Sequence, residues 1–112
     1  MSEPTATEWL TVPELVEMLD LSPSRVRRLI DDQHLLARRV DGVLKVPADF
    51  LRDGAPMPEL HGTAMVLRDA GFSAAEALDW LLGEEDSLGT TPIAALRAGR
   101  KAEVRRVAQA LA

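Results

Sequence analysis

Two helix starts separated by one tight break constrain this chain most. In Leu10-Thr11-Val12-Pro13-Glu14-Leu15, Thr11 sits at an N-cap and Glu14 three residues later. In that reciprocal arrangement each side chain satisfies a backbone N–H that the first turn leaves free. Leu10 and Leu15 bracket the cap as a hydrophobic staple. Pro13 falls in the first turn, where its missing N–H is harmless. Val12, Leu15, Val16 and Leu19 then recur on one helical face. Asp20-Leu21-Ser22-Pro23 ends that pattern and opens a second helix, with Ser22 as cap and Pro23 in first position. In the second helix Val26, Leu29 and Ile30 share a face, Ser24 and Arg28 point the opposite way, and Arg25 and Arg27 lie on the flanks. Two short helices joined by a tight turn predict a helix-turn-helix.

A hairpin follows. Leu36 to Val40 and Val43 to Val46 flank Asp41-Gly42, a strong short-range signal for a two-residue turn. The turn sets the register, with Val40 facing Val43, Arg39 facing Leu44, Arg38 facing Lys45 and Ala37 facing Val46. Alternation then turns Leu44, Val46 and Ala37 toward the core and leaves Arg38 and Lys45 opposite each other on the other face. Like charges so placed are mildly destabilising, and a phosphate beside them would relieve the penalty. Pro47 ends the second strand, and Ala48 to Leu51 reads as a short helical turn that docks Phe50 and Leu51.

The remainder reads as helices. Leu60, Ala64 and Leu67 form a stripe over Glu59 to Ala70, ending at Gly71. Ser73 and Glu76 form another capping box, opening a helix through Leu78, Leu81 and Leu82 to Gly83. Glu84 to Gly89 is an acidic loop, whose carboxylate run reads as a solvated face. Thr91-Pro92 starts a helix that ends at Gly99, and Lys101 to Leu111 closes the chain with Val104, Val107, Ala108 and Leu111 on one side. Trp80, Leu81, Leu96 and Val104 are expected in the core. The predicted fold is mainly α with a small β-hairpin, a winged helix-turn-helix packed on a C-terminal helical bundle. Its predicted parts are a disordered tail at 1–8, the winged domain at 9–53, a linker at 54–58 and a helical domain at 59–112.

The net charge of −5 over 112 residues is at first sight wrong for a partner of nucleic acid. Its distribution is not. Residues 1–21 carry five acids and no base, residues 22–52 seven bases against four acids, and residues 53–112 six bases against nine acids. The positive segment is the one with the helix-turn-helix and hairpin, and the local field governs attraction to phosphate. The absence of cysteine excludes disulfides, thiolate metal sites and cysteine nucleophiles. His34 and His61 lie far apart in sequence and read as ordinary side chains, so no metal and no cofactor are expected. Nothing resembles a nucleophile–base pair or a phosphate-cradling loop, so the chain does not read as an enzyme. No apolar run approaches the ~20 residues that span a bilayer, and the acidic start is not a signal peptide. The expected location is cytoplasmic, on the nucleoid.

Trp9 to Arg52 resembles the excisionase and MerR-like winged helix family. The residues that carry the likeness are Leu10 to Leu15, Leu19 to Ile30, Arg38 to Pro47 and Asp49-Phe50-Leu51. Gln33-His34-Leu35-Leu36 departs from it, since the family often has a glycine-containing turn there. The second half, through Trp80-Leu81-Leu82, Leu88 to Gly99 and Val104 to Ala108, looks like the C-terminal module of certain antitoxins. Together the halves look most like a small actinobacterial family of DNA-binding proteins linked to serine/threonine kinases. The resemblance implies that the second helix enters the major groove of double-stranded DNA and that the hairpin meets the backbone.

On this reading the recognition helix is 23–32 and the wing 37–46. Arg25 and Arg28 are the expected base contacts, assisted by Ser24, because arginine can donate two hydrogen bonds to guanine O6 and N7. Ser22 at the helix N-terminus and Arg27, Arg38, Arg39 and Lys45 are the expected phosphate contacts. Thr5 and Thr7 are candidate phosphorylation sites for a Ser/Thr kinase, where added negative charge would oppose DNA. The C-terminal helices are a candidate surface for a homodimer or a protein partner. Three functions compete: a DNA-binding transcriptional regulator, an antitoxin-type protein whose C-terminal half seizes a protein, and an interaction module that has lost DNA binding.

Overall fold

The computed structural model describes residues 8–111. Strand β1 (Trp9–Thr11) runs directly into helix α1 (Val12–Leu19), with Thr11 as both the last strand residue and the N-cap. The Thr11 hydroxyl accepts the Glu14 N–H at 3.3 Å, and the Glu14 carboxylate accepts the Thr11 N–H at 2.8 Å. Asp20 ends α1 in the left-handed conformation (φ 56°) and turns the chain toward α2 (Pro23–Asp31). There Ser22 Oγ accepts the Arg25 N–H at 3.3 Å. Both helix starts lie where the caps and prolines place them.

Strands β2 (Arg38–Val40) and β3 (Val43–Pro47) pair antiparallel, with Arg38 opposite Lys45, Arg39 opposite Leu44 and Val40 opposite Val43. Asp41 (φ 54°) and Gly42 (φ 81°) are both left-handed. A two-residue turn of that hand matches the right-handed twist of the strands it joins. The sheet has a third strand that sequence reading does not reveal. β1 lies against β3, giving the order β1-β3-β2, with Leu10 opposite Val46 and Thr11 opposite Lys45. Three residues are too few for alternation to be visible, and the capping box dominates the local signal. Leu10 is therefore a buried cross-strand partner of Val46 as well as the residue before the cap.

After the 3₁₀ turn Ala48–Phe50, strands β4 (Leu51–Arg52) and β5 (Ala55–Pro56) form a second small hairpin. Asp53 (φ 54°) and Gly54 (φ 74°) turn it just as Asp41-Gly42 turns the wing. Residues 54–58, expected as a linker, thus contain a strand and the fully buried Met57. Proline and glycine dominate the composition there, whereas the Asp-Gly pair between Arg52 and Ala55 carries the structural signal.

Helices α3 (Pro58–Asp69), α4 (Ala74–Leu82), α5 (Pro92–Arg97) and α6 (Lys101–Gln109) complete the chain. Helix α3 packs on α4 and α6, and α5 on α4 and α6. Gly62 of α3 lies where a Cβ would overlap the Arg105 guanidinium of α6. One cluster of buried side chains runs through both halves: Leu15, Val26, Leu35, Val46 and Phe50 from the first, Met57, Leu60, Leu78, Leu96 and Val104 from the second. Trp80, expected in the core, is half-buried at its edge. Its indole N–H donates to Glu85 Oε1 at 3.2 Å, so the acidic loop is partly anchored rather than wholly solvated. The architecture is a winged helix-turn-helix on a C-terminal helical bundle, as the patterning predicts.

Candidate nucleic-acid interface

The cationic residues of α2 stand out because of what lies beneath them. Val26 is fully buried and Leu29 and Ile30 pack against the core, so the helix has only one way to face. That leaves Ser24, Arg25, Arg27 and Arg28 exposed. Among the described residues none of these arginines is in an ion pair; the pairs join Arg38 to Asp79, Arg52 to Glu59 and Arg100 to Glu103. Ser22 and Ser24 share a hydrogen bond between their hydroxyls at 3.2 Å, beside the N-terminus of the helix.

The wing divides its charges between two faces. Arg39 shares the Leu44 face, the one turned toward α1 and α2. Its guanidinium donates to the Gly42 carbonyl at 3.2 Å, which holds the side chain over its own turn. Arg27 and Arg39 line one concavity of about 350 Å³, whose remaining walls are Val12, Pro13, Ile30, Asp31, Val43 and Leu44. The cleft between helix and wing thus brings Arg27 of the helix and Arg39 of the wing together, beside the Asp31 carboxylate.

Arg38 and Lys45 lie in the cross-strand row on the opposite face, with Thr11. The like-charge opposition predicted for them is present, but carboxylates of the chain itself relieve it. The Arg38 guanidinium donates to the Asp79 carboxylate of α4 and lies over the Trp9 ring, 5.4 Å from its centroid. Lys45 lies within electrostatic reach of Glu14. The Glu14 carboxyl is held below its ordinary value first by the Thr11 backbone N–H, then by the Thr11 hydroxyl, and in lesser part by Lys45. Arg38 is thus already paired within the chain, and Glu14 offsets part of the charge of Lys45.

Several contacts around this site escape sequence reading, although the absence of a glycine at Gln33-His34 marks the place. Gln33 takes the left-handed conformation (φ 62°) at the turn where a glycine is the usual solution. His34 stacks on His61 of α3, with ring centroids 4.0 Å apart and planes 16° apart. His61 Nδ1 also lies 3.2 Å from the Gln33 carbonyl. Arg97 of α5 donates to the carbonyls of Asp49 and Leu51 at 2.9 and 2.7 Å. These contacts tie the end of α2 and the strand after the wing to the C-terminal bundle. No periodicity predicts them, because each joins residues far apart in sequence. Thr5 and Thr7 lie outside the described residues. Among the described residues no group of three candidate metal ligands comes together, and no helix is long and apolar enough to cross a membrane.

Comparison with known proteins gives matches over both halves. Residues 4–51 match the family model described as DNA-binding protein Rv2175c, wHTH domain, and residues 57–112 the model described as Rv2175c C-terminal domain of unknown function. The DNA-binding protein Rv2175c of Mycobacterium tuberculosis (strain ATCC 25618 / H37Rv) is 32% identical over 114 residues, spanning 90% of this chain and 78% of that one. An excisionase of Streptomyces ambofaciens is 41% identical over 46 residues, spanning 41% of this chain and 74% of its own. The NMR structure of Rv2175c superposes with a TM-score of 0.86 at 28% identity, covering 100% of this chain and 85% of the other.

Proposed function

This chain belongs to the family of the DNA-binding protein Rv2175c, with the winged helix-turn-helix and the C-terminal domain of that family in sequence, and from that premise we propose that it is a transcriptional regulator that binds double-stranded DNA with a sequence preference. Helix α2 enters the major groove. Arg25 and Arg28 read base edges with Ser24 beside them, and Ser22 and the helix N-terminus meet a phosphate. Arg27 and Arg39 hold a phosphate in the cleft between helix and wing, and Lys45 contributes to the field around them. Phosphate contacts set register and orientation, and base contacts set preference. The chain acts in this reading as a binder and not as an enzyme.

The observation that carries the proposal is the set of exposed arginines on α2 whose orientation is dictated by the buried Val26. The test is selection from random duplexes at fixed salt, followed by affinity measurement on the enriched and unenriched pools. A recovered motif bound more tightly than the starting pool is expected. Binding that ignores both sequence and salt overturns the reading. A phosphate on Thr5 or Thr7 adds about −1.5 to −2 charges and would weaken binding. Equal affinity of a Thr5→Asp/Thr7→Asp variant removes that part of the proposal.

A further inference from the structure

Arg38 is the wing arginine whose position least fits a direct role in binding. It comes from the edge strand β2, yet its guanidinium is held by a carboxylate of the C-terminal domain, forty-one residues further along the chain. The indole of Trp9 closes the other side. The two side chains are 41% and 66% exposed, so the pair is solvated. Solvated ion pairs add little to folding stability, about 0–1 kcal/mol. Its consequence therefore lies in the availability of Arg38 rather than in stability. A carboxylate presents a guanidinium with the same forked pair of acceptor oxygens as a phosphate does. While Asp79 occupies Arg38, one cation of the wing is withdrawn from the set that can neutralise DNA.

We propose that Asp79 is an internal phosphate mimic that keeps Arg38 off the DNA backbone, so that the C-terminal domain sets how many phosphates the winged domain neutralises. Asp79 acts through Arg38 and touches no DNA. The inference rests on the DNA-binding reading above and assigns its C-terminal domain a part in it. Because backbone contacts carry no sequence information, withholding one lowers affinity for every duplex and reduces the sensitivity of binding to salt.

The experiment measures affinity of the full-length chain for a random-sequence duplex across a series of salt concentrations. It compares wild type, Asp79→Asn, Arg38→Ala, the double variant, and Glu84→Gln as an equal charge change on the exposed loop after α4. Each phosphate neutralised adds about 0.9 to the slope of log K against log salt. Asp79→Asn is expected to steepen the slope by about that amount and to tighten binding at low salt. Arg38→Ala alone should leave the slope at the wild-type value, and adding Arg38→Ala to Asp79→Asn should restore it. A general change in field would instead appear equally in Glu84→Gln and survive removal of Arg38, which overturns the proposal. So does a wild-type slope in Asp79→Asn, or a flatter one in Arg38→Ala alone. Absence of duplex binding in wild type and every variant overturns the DNA reading itself, an outcome distinct from normal binding that Asp79→Asn leaves unchanged.

Discussion

At the scale of single residues, the interface separates side chains by what holds them. Arg25 and Arg28 are in no ion pair among the described residues and face outward, so on the proposed reading truncating either removes a base contact and little of the fold. Each is expected to cost about 1–3 kcal/mol on the preferred duplex and to broaden the selected motif. Arg27→Ala and Arg39→Ala should instead weaken binding to all duplexes and flatten the salt slope by about 0.9 each, leaving the motif unchanged. Affinities on preferred and random duplexes at several salt concentrations distinguish the two patterns. Gln33 carries a strain that a substitution can relieve. A left-handed residue with a Cβ costs about 1–2 kcal/mol, against which the extra chain entropy of glycine recovers only part. Gln33→Gly should therefore raise stability by about 0.5–1 kcal/mol, read from the denaturant midpoint.

At the scale of elements, the helices owe their positions to caps. Thr11, Ser22, Ser73 and Thr91 each accept a backbone N–H of the first turn they precede. Replacing Thr11 or Ser73 by alanine should cost about 0.5–2 kcal/mol, measured by equilibrium unfolding. The caps also link stability to pH. The Glu14 and Glu76 carboxyls lie below their ordinary value chiefly because each accepts the backbone N–H of its cap residue, Thr11 or Ser73, and secondarily its hydroxyl. Glu59 is lowered first by its hydrogen bond from Arg52, and Glu103 by that from Arg100. A carboxyl depressed in the folded state stabilises fully above its unfolded value, about 4.5, and loses that contribution as pH falls through the folded value. The contribution of these carboxyls should thus be present above about pH 4.5 and decline as the pH falls below it. Glu14→Gln and Glu76→Gln should each make the fall shallower, which denaturant titrations at neutral and acid pH would reveal.

At the scale of the molecule, the two halves share one core and several polar ties. Phe50 and Met57, at the two ends of the second hairpin, belong to the same buried cluster as Leu15 and Leu96. The Arg38–Asp79 pair, the His34–His61 stack and the Arg97 hydrogen bonds cross between halves around it. Such an arrangement predicts one cooperative transition. Trp9 reports the winged half and Trp80 the bundle, so Trp9→Phe and Trp80→Phe leave one probe in each. The two variants should unfold over coincident denaturant ranges once their own stability changes are allowed for. A separate transition for each tryptophan would show the halves to be independent.

Local chemistry accounts for what could be read along the chain. Caps at Thr11, Ser22 and Ser73, prolines in first turns, and Asp41-Gly42 with its register follow from interactions within a few residues. The outward face of α2 follows from a single helical period. Long-range packing supplied the partners brought in from elsewhere in the chain: β1 against β3, the hairpin at Asp53-Gly54 leading to the buried Met57, His61 under His34, and Asp79 on Arg38. The register could place Arg38 on a face but not say what covers that face. The covering carboxylate arrives through the packing of α4, and no local propensity encodes where a distant helix comes to rest.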